Sequence, residues 1–177
     1  MEAYIMGKNV LICLCGSVNS INISHYIIEL KSKFDEVNVI ASTNGRKFIN
    51  GEILKQFCDN YYDEFENPFL NHVDIANKHD KIIILPATSN TINKIANGIC
   101  DNLLLTICHT AFEKLSIFPN MNLHMWENPV TQNNIRLLKD YGVSIYPANI
   151  SESYELASKT FKKNVVAPEP YKVLEFI

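Results

Sequence analysis

Residues 119–126 of this sequence combine side chains that suit a ligand-binding site. The segment, Pro-Asn-Met-Asn-Leu-His-Met-Trp, holds the only tryptophan of the chain, two of its four methionines and two asparagines. It follows a short apolar run at 115–118, which is typical of a buried strand. Wide apolar side chains beside neutral amides suit a pocket for a flat, partly polar ligand. The alternative is a core loop in which Met and Trp only fill space.

Three further segments carry small hydroxyl and amide side chains: 15–20, 41–44 and 86–91. Gly16 and Ser17 can present backbone N–H groups at the start of a helix, an arrangement that suits an anion. The three-glycine dinucleotide fingerprint and the Gly-Lys-Ser/Thr phosphate loop are both absent from the sequence. This weakens NAD and ATP as ligands and leaves a mononucleotide or flavin mononucleotide (FMN). Simple helix caps and turns remain the alternative for each of these hydroxyl residues.

Among the five histidines, His72 is the best candidate for acid–base chemistry. It lies at the start of a possible helix, where Asn71 or Asp74 could orient its ring. An imidazole titrates near neutral pH and is the commonest general acid or base. A surface or capping histidine is the alternative. No His or Cys cluster has metal-ligand spacing, so we expect no metal site.

Short apolar runs alternate with helical patterns along the chain and predict the elements that hold these residues. The predicted strands are 9–14, 37–40, 81–85, 115–118 and 143–146, and the predicted helices are 20–34, 48–57, 89–96, 102–109 and 130–140. This alternation predicts an α/β protein with a mostly parallel sheet and helices on both faces. In such sheets ligands bind beyond the carboxyl ends of the strands, where the four polar segments fall. The polar segment 151–164 is interpreted as helix-like and as a surface flap.

Length and composition indicate an ordinary globular protein. With 177 residues, 47% apolar residues and 20% charged residues, the chain predicts one domain spanning 1–177. A formal charge of −3 gives no basic face for nucleic acid. No apolar run approaches the roughly 18 residues of a membrane span, and the N-terminus lacks the features of a signal peptide. Five cysteines, mostly within apolar runs, favour buried thiols in a reducing cytoplasm.

Two of these segments resemble the motifs of a known family. Residues 86–91 (Pro-Ala-Thr-Ser-Asn-Thr) resemble the PASANT motif, and residues 119–126 fit the PXMNXXMW motif. Both motifs are typical of the homo-oligomeric flavin-containing cysteine decarboxylases, and His72-Val73-Asp74 matches the position of that family's active-site histidine. The one departure is Thr88-Ser89 in place of Ser-Ala. The resemblance covers essentially the whole chain and implies a Rossmann-like three-layer α/β/α fold that binds FMN.

Within the family, the cysteine content favours one branch over the other. Phosphopantothenoylcysteine decarboxylases of coenzyme A biosynthesis use a cysteine on the flap that covers the substrate, whereas this chain has no cysteine after Cys108. The resemblance therefore implies the lantibiotic (epidermin-type) branch, which oxidatively decarboxylates the C-terminal cysteine of a precursor peptide to an enethiol. The alternatives are the coenzyme A enzyme and a non-catalytic flavin-binding protein.

The resemblance also implies roles for individual residues. His72 would act as the base and Asn122 would bind the substrate, together with Met121. The residues expected to bind FMN are Gly16, Ser17, Val18, Ser42, Thr43, Thr88, Ser89, Asn90, Thr91 and Met125. A flap at about 147–164 would cover the substrate. We expect a cytoplasmic homo-oligomer built from trimers, a dodecamer, with active sites between subunits and without nucleic-acid or membrane partners.

Overall fold

A six-stranded parallel sheet forms the centre of the computed structural model, which describes residues 8–177. The strand order is β3-β2-β1-β4-β5-β7, and the register is parallel throughout. The strands of this sheet are β1 (Asn9–Leu14), β2 (Glu36–Ala41), β3 (Tyr61–Tyr62), β4 (Lys81–Ala87), β5 (Leu115–Pro119) and β7 (Ser144–Ile145). A smaller antiparallel sheet, of order β6-β9-β8, contains β6 (Met121–Asn122), β8 (Ile150–Glu155) and β9 (Thr160–Val165).

Helices cover both faces of the large sheet. They are α1 (Ile23–Leu30), α2 (Gly51–Phe57), α3 (His72–Lys78), α4 (Ser89–Ala96), α5 (Leu103–Thr110), α6 (Leu123–Glu127), α7 (Pro129–Asp140) and α8 (Pro170–Phe176). Side chains of α3, α4, α5 and α7 join one core cluster, and those of α1, α2 and α8 join the other. Alternate residues of β1 enter the two clusters, as the period of two along a strand requires. The predicted three-layer α/β/α fold is confirmed.

Polar side chains fix where the helices begin at the carboxyl edge of the sheet. Thr88 accepts a hydrogen bond from the backbone N–H of Thr91 at the start of α4. Five asparagines do the same at other helices: Asn50, Asn71, Asn102, Asn122 and Asn128. Each such cap contributes about 1 kcal/mol to helix stability. The caps therefore turn several helix N-termini, with their free N–H groups, toward one edge of the sheet.

Two parts of the sequence-based interpretation are wrong. Residues 151–164 are not helical, because β8 and β9 form an antiparallel hairpin there, with Tyr154 opposite Phe161. Cys100 is exposed rather than buried, although the other four cysteines are buried as predicted. The short strand β3 and the C-terminal helix α8 were not predicted. The N-terminal residues on which the absence of a signal peptide rests lie, up to residue 7, outside the described part of the chain.

The helices of the described part of the chain are short compared with the thickness of a bilayer. Within residues 8–177, none is both long and apolar enough to cross a membrane.

Candidate flavin site

A cavity of about 750 Å³ lies beyond the carboxyl ends of β1, β2, β4 and β5. The turns after these strands, the first turn of α5 and the hairpin β8–β9 all contribute residues to its lining. Every residue predicted to bind the cofactor or the substrate lines this cavity. The volume falls within the range of about 300–1,000 Å³ that is typical of small-molecule sites. The roles of the individual residues stay predictions.

The turns after β1 and β2 are packed closely against each other. A Cβ atom added to Gly16 would lie 2.6 Å from Cβ of Asn44, and one added to Gly45 would lie 2.5 Å from the carbonyl oxygen of Leu14. Glycine is therefore required at both positions for the two turns to meet. Ser17 accepts a hydrogen bond from the backbone N–H of Asn19 at 3.3 Å. Neutral donors and a 3-10 turn thus face this end of the cavity, where a phosphate group fits.

The turn after β4 uses its hydroxyl groups within the protein. Ser89 Oγ lies 3.1 Å from Asn93 Nδ2 and 3.4 Å from the hydroxyl of Thr131 on α7. The Thr91 hydroxyl donates to the buried Cys15 sulfur at 3.2 Å. Both residues line the cavity, but these contacts occupy their hydroxyl groups. The backbone N–H of Thr91 donates to the Thr88 cap, so the backbone N–H of Ser89 is the better ligand. The exposed side chain of Asn90 makes no hydrogen bond among residues 8–177 and is available to a ligand.

The loop after β5 supplies two asparagines with different roles. Asn120 is buried, accepts a hydrogen bond from the Ser17 hydroxyl and donates to the carbonyl oxygen of Val165 at 3.1 Å. It therefore joins the turn after β1 to the base of the hairpin. Asn122 Oδ1 accepts from the backbone N–H of Met125 at 2.8 Å. This bond fixes the amide, so that its NH2 group remains free to donate into the cavity.

Several cavity residues were not predicted from the sequence. They are Asn19, Asn44 and Phe48 from the first two turns, Lys94 from α4, Asp101, Asn102, Leu104 and Leu105 from the start of α5, Asn120, and residues 153–157 and 164–165 from the hairpin. Asn120 lies inside the 119–126 motif, and this position could have identified it as a cavity residue. Most of the hairpin residues fall within the flap expected at about 147–164, but none of them was named individually, because the segment was interpreted as helix-like.

His72 lies outside this cavity. It is the first residue of α3, directly after the cap Asn71, and its side chain is half-buried. The loop before it holds two exposed aromatic residues, Phe65 and Phe69, whose exposed fractions are 59% and 91%. Within one chain, therefore, His72 is not brought together with Asn122.

Burial suppresses the reactivity of the thiols on β1 and directly after it. Burial raises the pKa of Cys15 to about 12, although the hydroxyl of Thr91 acts in the opposite direction. Burial also raises the pKa of Cys13, whose sulfur lies 3.9 Å from that of Cys108. These thiols stay protonated at neutral pH and are packing groups rather than nucleophiles.

The fold and the cavity define a three-layer α/β protein with a ligand-sized cavity at the carboxyl edge of its parallel sheet. Residues 2–167 match the family model described as "Flavoprotein". The chain is 53% identical to epidermin decarboxylase of Staphylococcus epidermidis over 172 residues, which cover 97% of this chain and 95% of that protein. It belongs to the flavoprotein family, among the flavin-containing cysteine decarboxylases.

Two solved structures are similar over nearly the whole chain. One is epidermin biosynthesis protein EpiD from Staphylococcus aureus, with 98% identity, coverage of 96% of this chain and 100% of that chain, and a TM-score of 0.93. The other is a histidine-to-asparagine variant of EpiD in complex with the substrate peptide DSYTC. It has 52% identity, coverage of 97% and 98%, and a TM-score of 0.91.

Proposed function

We propose that this protein binds FMN in the cavity and oxidatively decarboxylates the C-terminal cysteine of a lantibiotic-type precursor peptide. The observation that carries the proposal is a flavoprotein cavity in a chain 52% identical to an enzyme solved with a cysteine-ended peptide. The hairpin β8–β9 lies across the cavity, where it can cover an extended peptide. This role fits the flap expected at about 147–164.

The polarity of the cavity matches the two ends of FMN. In the turns after β1 and β2, the backbone N–H of Gly16 and the hydroxyl of Ser42 suit the phosphate, whereas Ser17 donates its own hydroxyl to Asn120. Apolar side chains lie on the opposite side, where α5, α6 and the hairpin contribute Leu104, Met125 and Leu156 among others. The planar ring system belongs on that apolar side, because burying it there removes apolar surface from water.

The reaction requires an electron acceptor, which bound FMN supplies as a two-electron oxidant. Removal of two electrons and two hydrogens from the Cβ–S unit of the substrate cysteine gives a thioaldehyde. Loss of carbon dioxide would then turn the electron pair of the broken C–C bond into a Cα–Cβ double bond and move the C=S π pair onto sulfur, which gives an enethiolate. The free NH2 group of Asn122 would hold the substrate carboxylate or backbone while these bonds change.

His72 would supply the base from a neighbouring copy of the chain. This assignment rests on its position outside the cavity of its own chain and on the exposed Phe69 three residues before it. An aromatic side chain 91% exposed suits a contact with another protein surface. A homo-oligomer built from trimers, a dodecamer, would place His72 of one subunit beside the substrate of the next.

The coenzyme A enzyme remains the weaker alternative for a physical reason. A non-oxidative decarboxylase must return the electrons to its product, and the family enzyme of that kind uses a flap cysteine. The hairpin β8–β9 contains no cysteine. Its residues can cover the substrate but cannot offer a thiol for that step.

Mass spectrometry of a reacted peptide tests the proposal. The protein reconstituted with FMN is incubated with a synthetic peptide ending in cysteine, and a peptide ending in serine serves as the control. We expect the cysteine peptide to lose carbon dioxide and two hydrogen atoms, and the serine peptide to remain unchanged. Loss of carbon dioxide alone would indicate the non-oxidative reaction, and an unchanged cysteine peptide would contradict a decarboxylase function.

A further inference from the structure

Lys94 is the only lysine or arginine among the described residues that line the cavity. It lies on α4 and forms an ion pair with Asp101, which precedes α5 and lines the same cavity. The side chains of Lys94 and Asp101 are 26% and 48% exposed. The other charged residue of the lining, Glu155, is paired with Lys162 on the hairpin at 2.9 Å.

The position of this ion pair relates it to the ring of the flavin rather than to the phosphate. Lys94 and Asp101 line the cavity together with Asn102 and Leu104 at the start of α5, the helix against which the ring is proposed to pack. The turns suited to the phosphate follow β1 and β2, whereas Lys94 is on the helix that follows β4. With the phosphate at the turns after β1 and β2 and the ring against α5, as proposed above, Lys94 would act on the ring system.

We propose that Lys94 raises the reduction potential of the bound flavin by stabilising its two-electron reduced form, and that Asp101 moderates this effect. The inference rests on the FMN binding proposed above. Two-electron reduction adds negative charge to the ring, and a nearby cation favours the more negative form. A unit charge about 10 Å away in a partly screened site changes the equilibrium constant for reduction about tenfold. For a two-electron couple this corresponds to about 30 mV.

The test is the midpoint potential of the FMN-loaded protein, measured against a reference dye without peptide substrate. Lys94→Gln should lower the potential by up to about 30 mV, and Asp101→Asn should raise it. Opposite shifts distinguish an electrostatic role from a simple link between α4 and α5, because loss of either partner would break that link alike. Lys55→Gln, which removes the pairs with Glu52 and Glu66 outside the cavity, is the matched control and should leave the potential unchanged.

Two results would overturn the inference. One is a shift of the same sign, or no shift, in both variants. The other is weaker FMN binding by Lys94→Gln at an unchanged potential, which would assign Lys94 to the phosphate. If Lys94→Gln fails to fold, Lys94→Arg should keep the wild-type potential, and Asp101→Asn alone decides by the sign of its shift. A protein that binds no FMN would instead contradict the proposed function, and titration with FMN detects this separately.

Discussion

Asn122 uses the two ends of one amide for different tasks. Its oxygen caps α6 through the backbone N–H of Met125, and its nitrogen makes no hydrogen bond among residues 8–177 while it lines the cavity. The cap fixes the direction of the amide. The stability that the helix gains from the cap offsets the side-chain entropy that is lost by fixing it. A donor oriented in this way needs little reordering when a carboxylate arrives.

Asn122→Asp should separate these tasks. Aspartate keeps an oxygen that can cap α6 but replaces the NH2 donor with a negative charge, which would repel the substrate carboxylate. We expect near wild-type thermal stability and FMN content, with peptide turnover reduced at least about a hundredfold, or about 2.7 kcal/mol. Turnover is measured by mass spectrometry of the peptide.

Asn128→Asp provides the matched control for that variant. Asn128 caps α7 in the same way, through the backbone N–H of Val130, but does not line the cavity. It should keep full turnover. Full turnover by Asn122→Asp would instead show that the amide nitrogen does not bind the substrate.

At the residue scale, sequence reasoning found the cavity residues that follow predicted strands. Small hydroxyl and amide residues directly after a predicted strand, such as Ser17 and Asn90, can be recognised as site candidates from the sequence alone. Asn120 was missed because its role depends on contacts with Ser17 and Val165, which are far apart in the sequence. The orientation of the Ser89 hydroxyl toward Thr131 depends on the packing of α4 against α7, which residue order alone does not predict.

The helix α3 begins at His72 and ends at Lys78, and a buried histidine, His79, directly follows it. His79 has no exposed surface, and its Nε2 accepts a hydrogen bond from Asn38 Nδ2 at 2.8 Å. The Asn38 side chain is oriented in this way because its oxygen accepts from Asn60. The Nδ1–H of His79 therefore donates to the carbonyl oxygen of Ile75 at 2.6 Å. The end of α3 thus depends on a neutral imidazole.

This arrangement predicts a pH dependence of stability. Burial lowers the pKa of His79 below its ordinary value of 6.5, and Lys78 and Lys114 act in the same direction while Glu36 opposes them. The unfolded chain therefore binds a proton more readily than the native protein. The contribution of neutral His79 to the free energy of unfolding is present above pH 6.5. It is lost as the pH falls below that value, by at most about 1.4 kcal/mol per pH unit.

Urea unfolding at pH 7.5 and 5.5 measures this effect. His79→Gln should show a smaller loss of free energy of unfolding between the two pH values than the wild type. His25→Gln removes an exposed histidine and should keep the wild-type dependence. An equal loss in wild type and His79→Gln would show that His79 is not the titrating group.

At the element scale, strands buried on both faces were predicted most closely. Strand β1 begins and ends as predicted, because continuous apolar runs identify such strands. The hairpin β8–β9 was not predicted, because most of its residues are polar and exposed and no alternation of apolar side chains marks its strands. The two-residue strand β3 is too short for any periodic signal.

At the scale of the whole molecule, a single chain does not bring together the two residues proposed to act on the substrate. Asn122 lies in the cavity and His72 lies outside it. The proposed assembly would complete each cavity with a residue from a second copy.

Co-assembly of two inactive variants tests this arrangement. Chains with His72→Asn and chains with Asn122→Asp are expressed together with different tags, and the mixed oligomer is purified through both tags. With random mixing, one half of the cavities keep Asn122 and one half of those receive a native His72, so roughly a quarter of wild-type turnover should return. Oligomers of either variant alone should remain inactive. No recovery in the mixed oligomer would show that His72 does not act across subunits.

The walls of the cavity come from nearly the entire length of the chain, from Gly16 to Val165. Almost all of the protein must be synthesised, and the parallel sheet assembled, before FMN can bind. The cofactor can therefore stabilise the finished fold by mass action but cannot assist its early formation. In a living cell the turnover of this protein should then follow the riboflavin supply, because newly made chains that find no flavin remain closer to the unfolded pool that proteases degrade.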